Sequence, residues 1–167
     1  MKRIAIFVVV ALALFGTPVL AGDKVKGEAD IEQVVASING TNVDAEIRFI
    51  DTGTSLTVRG KAEGLVKGQQ YFSLLYDVGS PVTGPGACEP TRGPGQPGFL
   101  TIAQMIVGFW TPPTGDDEDW TINVTKTGAS YVPLSQVGTM SVRIVLGPPP
   151  AGFKLQGCGK VETEADD

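Results

Sequence analysis

Apolar and polar residues alternate along much of the chain with a period of two. Val43, Ala45, Ile47 and Phe49 fall on one side while Asp44, Glu46 and Arg48 fall on the other, which predicts a strand with one dry and one wet face. Asp51-Thr52-Gly53-Thr54 has turn chemistry. Leu56 and Val58 then alternate with Thr57, Arg59 and Lys61, so the two runs predict a hairpin. Further strands are expected over residues 70–76, 100–107, 120–124, 141–146 and 157–162, with a first strand over 34–38. No stretch of helical length carries an apolar stripe at i, i+3, i+4. Punctuated by 22 glycines and 12 prolines, the pattern predicts an all-β sandwich or barrel. Residues 80–98 are rich in glycine and proline and hold Cys88, which reads as one long loop within a single domain.

The start of the chain departs from this alternation. Lys2 and Arg3 precede an almost unbroken apolar run over residues 4–15, and Pro18-Val19-Leu20-Ala21 supplies small residues at a cleavage position. Residues 1–21 therefore read as a secretory signal peptide. A retained anchor is the alternative, disfavoured by a run too short to span a bilayer with comfort and by the lack of stop-transfer charges. Residues 22–33 are polar enough to predict a flexible leader, residues 34–162 the domain, and residues 163–167 an acidic tail. Such a chain would be secreted or periplasmic. Without Lys2 and Arg3 the 13 basic residues fall to 11, against 18 acidic ones, and an acidic surface makes nucleic acid and anionic membrane poor partners.

Composition also removes several chemistries. None of the 167 residues is histidine, so there is no imidazole base, no Ser-His or Cys-His relay and no histidine ligand for zinc or copper. Cys88 and Cys158 would bridge in an exported chain; free redox thiols are the alternative, but no Cys-x-x-Cys is present. Asp116, Asp117, Glu118 and Asp119 form the densest carboxylate cluster. They lack the spacing of a calcium loop and read as a solvated hairpin turn, with calcium as the alternative. Asp77 and Glu89 flank the long loop and could converge as a glycosidase pair, although nothing in their spacing requires it. Ser73 is a poor nucleophile without a base, and Asn39-Gly40-Thr41 and Asn123-Val124-Thr125 match the glycosylation acceptor pattern.

Several segments, in order, resemble the copper–zinc superoxide dismutases. Gly64-Leu65-Val66-Lys67-Gly68 followed by Tyr71-Phe72-Ser73-Leu74-Leu75 resembles that family's Gly-Leu, Gly, then Phe-His-Val-His stretch. Cys88 lies in the following Gly/Pro-rich loop, Val107-Gly108-Phe109-Trp110 resembles His-Val-Gly-Asp-Leu, residues 137–144 resemble the Ile-Gly-Arg-Ser-Val-Val-Val-His strand, and Gly157-Cys158-Gly159-Lys160-Val161 resembles the closing Ala-Cys-Gly-Val-Ile. The resemblance covers about residues 36–161. It implies a Greek-key β-barrel or sandwich of about eight antiparallel strands, with Cys88 and Cys158 as its bridge.

It equally implies that the metal centre is gone. The copper histidines fall on Ser73, Leu75 and Ile144, the zinc-site His and Asp on Ile106 and Phe109, and the bridging histidine within residues 94–99, where Gln96 is the best polar candidate. An apolar side chain offers no lone pair to copper or zinc, and dismutation needs a redox metal. The loop that steers superoxide shrinks to residues 147–153, and the anion-guiding arginine falls on Leu155, with Lys154 one residue away.

The expectation is thus an exported domain without cofactor, metal or catalysis, holding a binding or structural role toward an unknown protein or small ligand. Alternatives are a dismutase with unusual ligands and a chordin-like secreted β domain. Tyr71, Tyr76, Phe99, Phe109, Trp110, Tyr131 and Phe153 fall around the lost site. They either line a binding patch or fill the hollow, and the second reading, with Ile106, Phe109 and Ile144 as core, is preferred.

Overall fold

A computed structural model describes residues 24–33, 43–146 and 152–163. The strands are β1 (Val25–Gln33), β2 (Asp44–Asp51), β3 (Ser55–Glu63), β4 (Tyr71–Asp77), β5 (Ile106–Phe109), β6 (Trp120–Thr127), β7 (Val137–Val145), β8 (Phe153–Lys160) and the two-residue β9 (Glu162–Thr163). Every pairing between them is antiparallel. The class is all-β.

The strands are ordered β5-β4-β7-β8-β1-β2-β3-β6, with β9 beside β1; the non-consecutive neighbours β4–β7, β8–β1 and β3–β6 mark crossovers. β1 meets β8 over only two residue pairs, Glu32↔Cys158 and Gln33↔Gly157, so the path divides into two four-stranded sheets joined at one corner. At the opposite corner β5 and β6 approach through one isolated bridge, Thr111↔Thr121. The barrel alternative therefore fails, since that edge does not close as a ladder.

Alternation decides what lies between the sheets. Ile47 and Phe49 of β2, Leu56 and Val58 of β3 and Ile122 of β6 face Tyr71 and Leu75 of β4 and Met140, Val142 and Ile144 of β7 in one buried cluster. Gly60 stands among them because a Cβ there would lie 2.3 Å from Ile47 Cδ1 and 2.9 Å from the Glu46 carbonyl oxygen, leaving no room for any other residue.

Three expectations need correction. The flexible leader over residues 22–33 is in large part strand β1, whose Lys26 and Glu28 are exposed while Ala29 is buried; the domain starts near residue 25 rather than 34. Its polar sequence hid an edge-like strand that pairs along its length with β2. The strand expected over residues 100–107 is instead a helical turn, α1 (Ile102–Met105), before β5. Thr101 and Gln104 cap that turn reciprocally, a local hydrogen-bonding option that outweighs alternation. Thr163, placed in the acidic tail, pairs with Gly27 in β9. The strand expected over 34–38, the leader over 1–21 and Asn39 lie outside the described residues.

Candidate functional site

β4 is apolar on both faces, and the two faces are covered differently. Tyr71, Ser73 and Leu75 point between the sheets, whereas Phe72, Leu74 and Tyr76 point outward opposite Arg143, Ser141 and Thr139 of β7. An unbroken apolar run of this kind signals a strand covered on both sides. The long loop supplies part of the cover. Ala87, Cys88 and Val82 pack with Tyr76, Leu74, Leu155 and Cys158 in a second, smaller cluster on the outer face.

Five contacts hold that loop down. Cys88 Sγ lies 2.07 Å from Cys158 Sγ, a bonding distance. Cys88 sits at φ 49°, a left-handed conformation uncommon for a side-chain-bearing residue, and its carbonyl accepts a 2.8 Å hydrogen bond from Arg143 Nη2. Arg143 Nε donates to Tyr76 Oη at 2.9 Å, and burial raises the Tyr76 pKa. Asp77 is buried and accepts from Thr91 N at 3.0 Å and from the Thr91 hydroxyl, with Arg92 Nε 3.7 Å away. Asp77 is therefore a loop anchor, and Glu89 is exposed; the two do not form facing carboxylates across a cleft.

Beyond the loop, among the described residues, the same outer face exposes apolar side chains. Phe72, Leu74, Ile102, Met105, Ile106, Gly108, Phe109 and Phe153 line an open groove of about 320 Å³. Phe72 stacks with Phe153 at 4.3 Å between ring centroids and with Phe109 at 6.1 Å. Ile102 is 75% exposed, Phe109 64%, Phe153 49% and Ile106 47%. A β-bulge between β4 and β5 sets this arrangement, so that Phe109 lies opposite Phe72 and Ile106 opposite Leu74. Gly108, at φ 153°, lets the bulged strand pass Val124, whose Cγ2 would lie 3.3 Å from an added Cβ.

The positions matching lost metal ligands do not converge. Ser73, Leu75 and Ile144 are buried between the sheets, and Ser73 Oγ accepts a 2.9 Å hydrogen bond from Trp110 Nε1. Ile106 and Phe109 stand on the opposite, outer side, so the expectation that they are core alongside Ile144 is wrong for both. The physical reason is the bulge, which turns them away from the inner face that Val107 and Trp110 occupy. The seven aromatics divide likewise. Tyr71 and Trp110 are core, Tyr76 lies under the loop, Phe109 and Phe153 rim the groove, and Phe99 is half-buried. Tyr131 Oη donates to Asp51 Oδ1 at 2.9 Å, and burial together with that carboxylate pushes its pKa up to about 12.

Gln96 folds back onto its own loop, accepting from Gly93 N at 2.7 Å. Asp119 pairs with Lys61 at 2.8 Å while Asp116, Asp117 and Glu118 are exposed. Among the described residues no group of three or more Cys, Asp or Glu side chains is placed to hold a metal ion, and no helix is long and apolar enough to cross a membrane. Sequence reasoning missed Phe72, Leu74, Ile102 and Met105 in the groove, although the two-sided apolar run of β4 was a visible signal. It also missed buried Lys126, whose Nζ donates to the carbonyls of Ala103, at 3.2 Å, and Ile106, tying α1 and the groove's rim to β6. Among known proteins, the sequence matches no protein-family model and no curated protein.

Proposed function

We propose that this chain is an exported, non-catalytic binding module, built on a scaffold like that of the copper–zinc superoxide dismutases, and that its ligand surface is the apolar groove around Phe109. The scaffold part rests on the ordered sequence motifs, on a strand order in which β4–β7, β8–β1 and β3–β6 are non-consecutive neighbours, and on the link from the long loop to β8 through Cys88 and Cys158. The non-catalytic part rests on the missing imidazole and on Ser73, Leu75 and Ile144 lying in the dry interior. Export rests on residues 1–21.

One observation carries the binding reading. Large apolar side chains are exposed together around a groove, while the core between the sheets is closed without them. Contiguous apolar surface of this kind marks a place where something binds. Among the described residues no charged side chain lines the groove, so it suits an apolar or aromatic group rather than an ion. An environment-sensitive naphthalene dye tests this. Saturable one-site binding is expected, and Phe109→Asp, on an exposed position, should abolish it while leaving cooperative unfolding intact. Absence of saturable binding, or binding unchanged in Phe109→Asp, would refute the assignment.

A further inference from the structure

We infer that the exposed face of β1, β2, β3 and β6 is a self-association surface, on which a second copy of this chain stacks with its strands reversed. The sheet's register arranges its outward side chains in rows across the strands. Lys26 lies in the row with Ile50, Thr57 and Thr125, and the next row is Glu28, Arg48, Arg59 and Asn123. Glu46, Lys61 and Thr121 follow, and then Asp44 beside Glu63. The hairpin of Asp116, Asp117, Glu118 and Asp119 adjoins this last end, where Asp119 reaches Lys61. The face is therefore polar in the electrical sense: Lys26, Arg48 and Arg59 outnumber Glu28 toward one end, Glu46 and Lys61 balance in the middle, and Asp44, Glu63 and the acidic hairpin crowd the other.

The acidic end is unfavourable when left to itself, because Asp44 stands directly opposite Glu63 and like charges in cross-strand register repel. Arg59 faces Arg48 in the same way, although Glu28 stands opposite Arg48 on its other side. Glu46 accepts hydrogen bonds from Arg48 at 2.7 and 3.1 Å and so offsets part of this. A hollow of about 520 Å³ lies between the second and third rows, lined by Glu46, Arg48, Arg59, Lys61, Thr121 and Asn123 among others. A two-fold axis lying across the strands would bring the basic end of each copy onto the acidic end of the other. A self-complementary patch is what an isologous interface requires.

The area is sufficient for a weak pair. Four strands about 4.8 Å apart, each spanning eight residues at about 3.3 Å, present roughly 500 Å² per copy. That places the pair near the lower limit of about 1,000 Å² in total for a specific interface. Most of its charges are solvent-exposed, so the association should be concentration-dependent and salt-sensitive.

Sedimentation equilibrium of the purified exported protein tests the inference. A reversible monomer–dimer equilibrium is expected, weakening roughly tenfold as salt rises from about 0.05 M to about 0.5 M. Arg59→Glu should weaken it by a similar factor, and so should Asp116→Lys with Asp117→Lys. Mixing those two variants should restore pairing, because the reversed charges then face each other. Arg59→Gln, a milder change at the same exposed position, serves if Arg59→Glu lowers stability. A monomer at every concentration overturns the inference, as does a dimer indifferent to salt and to Arg59→Glu. Loss of dimer in Phe109→Asp alone overturns it as well, placing the contact at the groove; dye binding is read separately and decides the groove on its own.

Discussion

Lys126 should make the protein more stable as pH rises above neutrality, and the size of the effect follows from its surroundings. It lies on the inner side of β6, 3% exposed, with its ammonium on the carbonyls of Ala103 and Ile106. Burial lowers its pKa from 10.5 to about 8. In the unfolded chain the group keeps its proton up to the ordinary value, so between these two pKa values the unfolded state binds more protons than the folded one. Stability must then rise with pH across that window, the opposite of a lysine whose pKa is raised by a partner. Integrated from about pH 7.5 to about pH 9.5, the difference is about 2 kcal/mol. Tyr71, Tyr76 and Tyr131 all have raised pKa values, so their unfolded forms ionise first and stability declines above about pH 10, which bounds the assay. Lys126→Met removes a buried charge worth about 3 kcal/mol near pH 7 but leaves two carbonyls without that donor, at about 1–3 kcal/mol for each such group. The variant should therefore lie within a few kcal/mol of the parent near neutrality and lose about 2 kcal/mol relative to it by about pH 9.5. Urea titrations of both proteins across this range measure the difference directly. Parallel pH profiles would refute the buried-lysine account.

Two further outcomes separate the inner face from the outer. Ile144→Ala, at a site 2% exposed between the sheets, should cost about 2–5 kcal/mol in a denaturant titration, while Phe109→Ala on the open rim should cost less than about 1 kcal/mol. Reduction, or Cys158→Ser, should lower stability by about 2–4 kcal/mol, because a bond across a sequence separation of 70 restrains the unfolded chain; alkylation of two thiols in the native protein would show the bond absent.

The hairpin of β2 and β3 was legible because each strand has one wet face and the turn residues sit between two alternating runs, although Asp51, read as turn, ends β2 and pairs with Leu56. β1 was not legible. Its residues, Val-Lys-Gly-Glu-Ala-Asp-Ile-Glu-Gln, carry charges on one side and small residues such as Gly27 and Ala29 on the other, so the apolar signal is weak although the pairing is long. The turn at α1 was hidden for a different reason. Two polar residues, Thr101 and Gln104, decide it through local hydrogen bonds that periodicity does not register. Lys126 fell beyond the strand expected over 120–124, and only the extension of β6 to Thr127 shows that its side chain turns inward. Arg143 was visible as a charge within an apolar strand. Its role as the link between Tyr76 and the Cys88 carbonyl required the loop to be seen folded over the sheet.

Matching residues by order preserves sequence position but not the face of a sheet, and here the difference changes the functional reading. On β4 and β7, Ser73, Leu75 and Ile144 belong to the inner set, whereas Phe72, Leu74 and Arg143 belong to the outer one. Ile106 and Phe109 of β5 side with the outer set because of the bulge. A site made by these strands can draw on one set only, since a strand's neighbours along the chain point to opposite sides and a slip of one residue exchanges them all. The inner set is buried in the core, with Ser73 hydrogen-bonded to Trp110. The outer set is where both the fastened loop and the exposed aromatic groove lie, so on this face the aromatic side chains rim an open surface rather than fill a hollow.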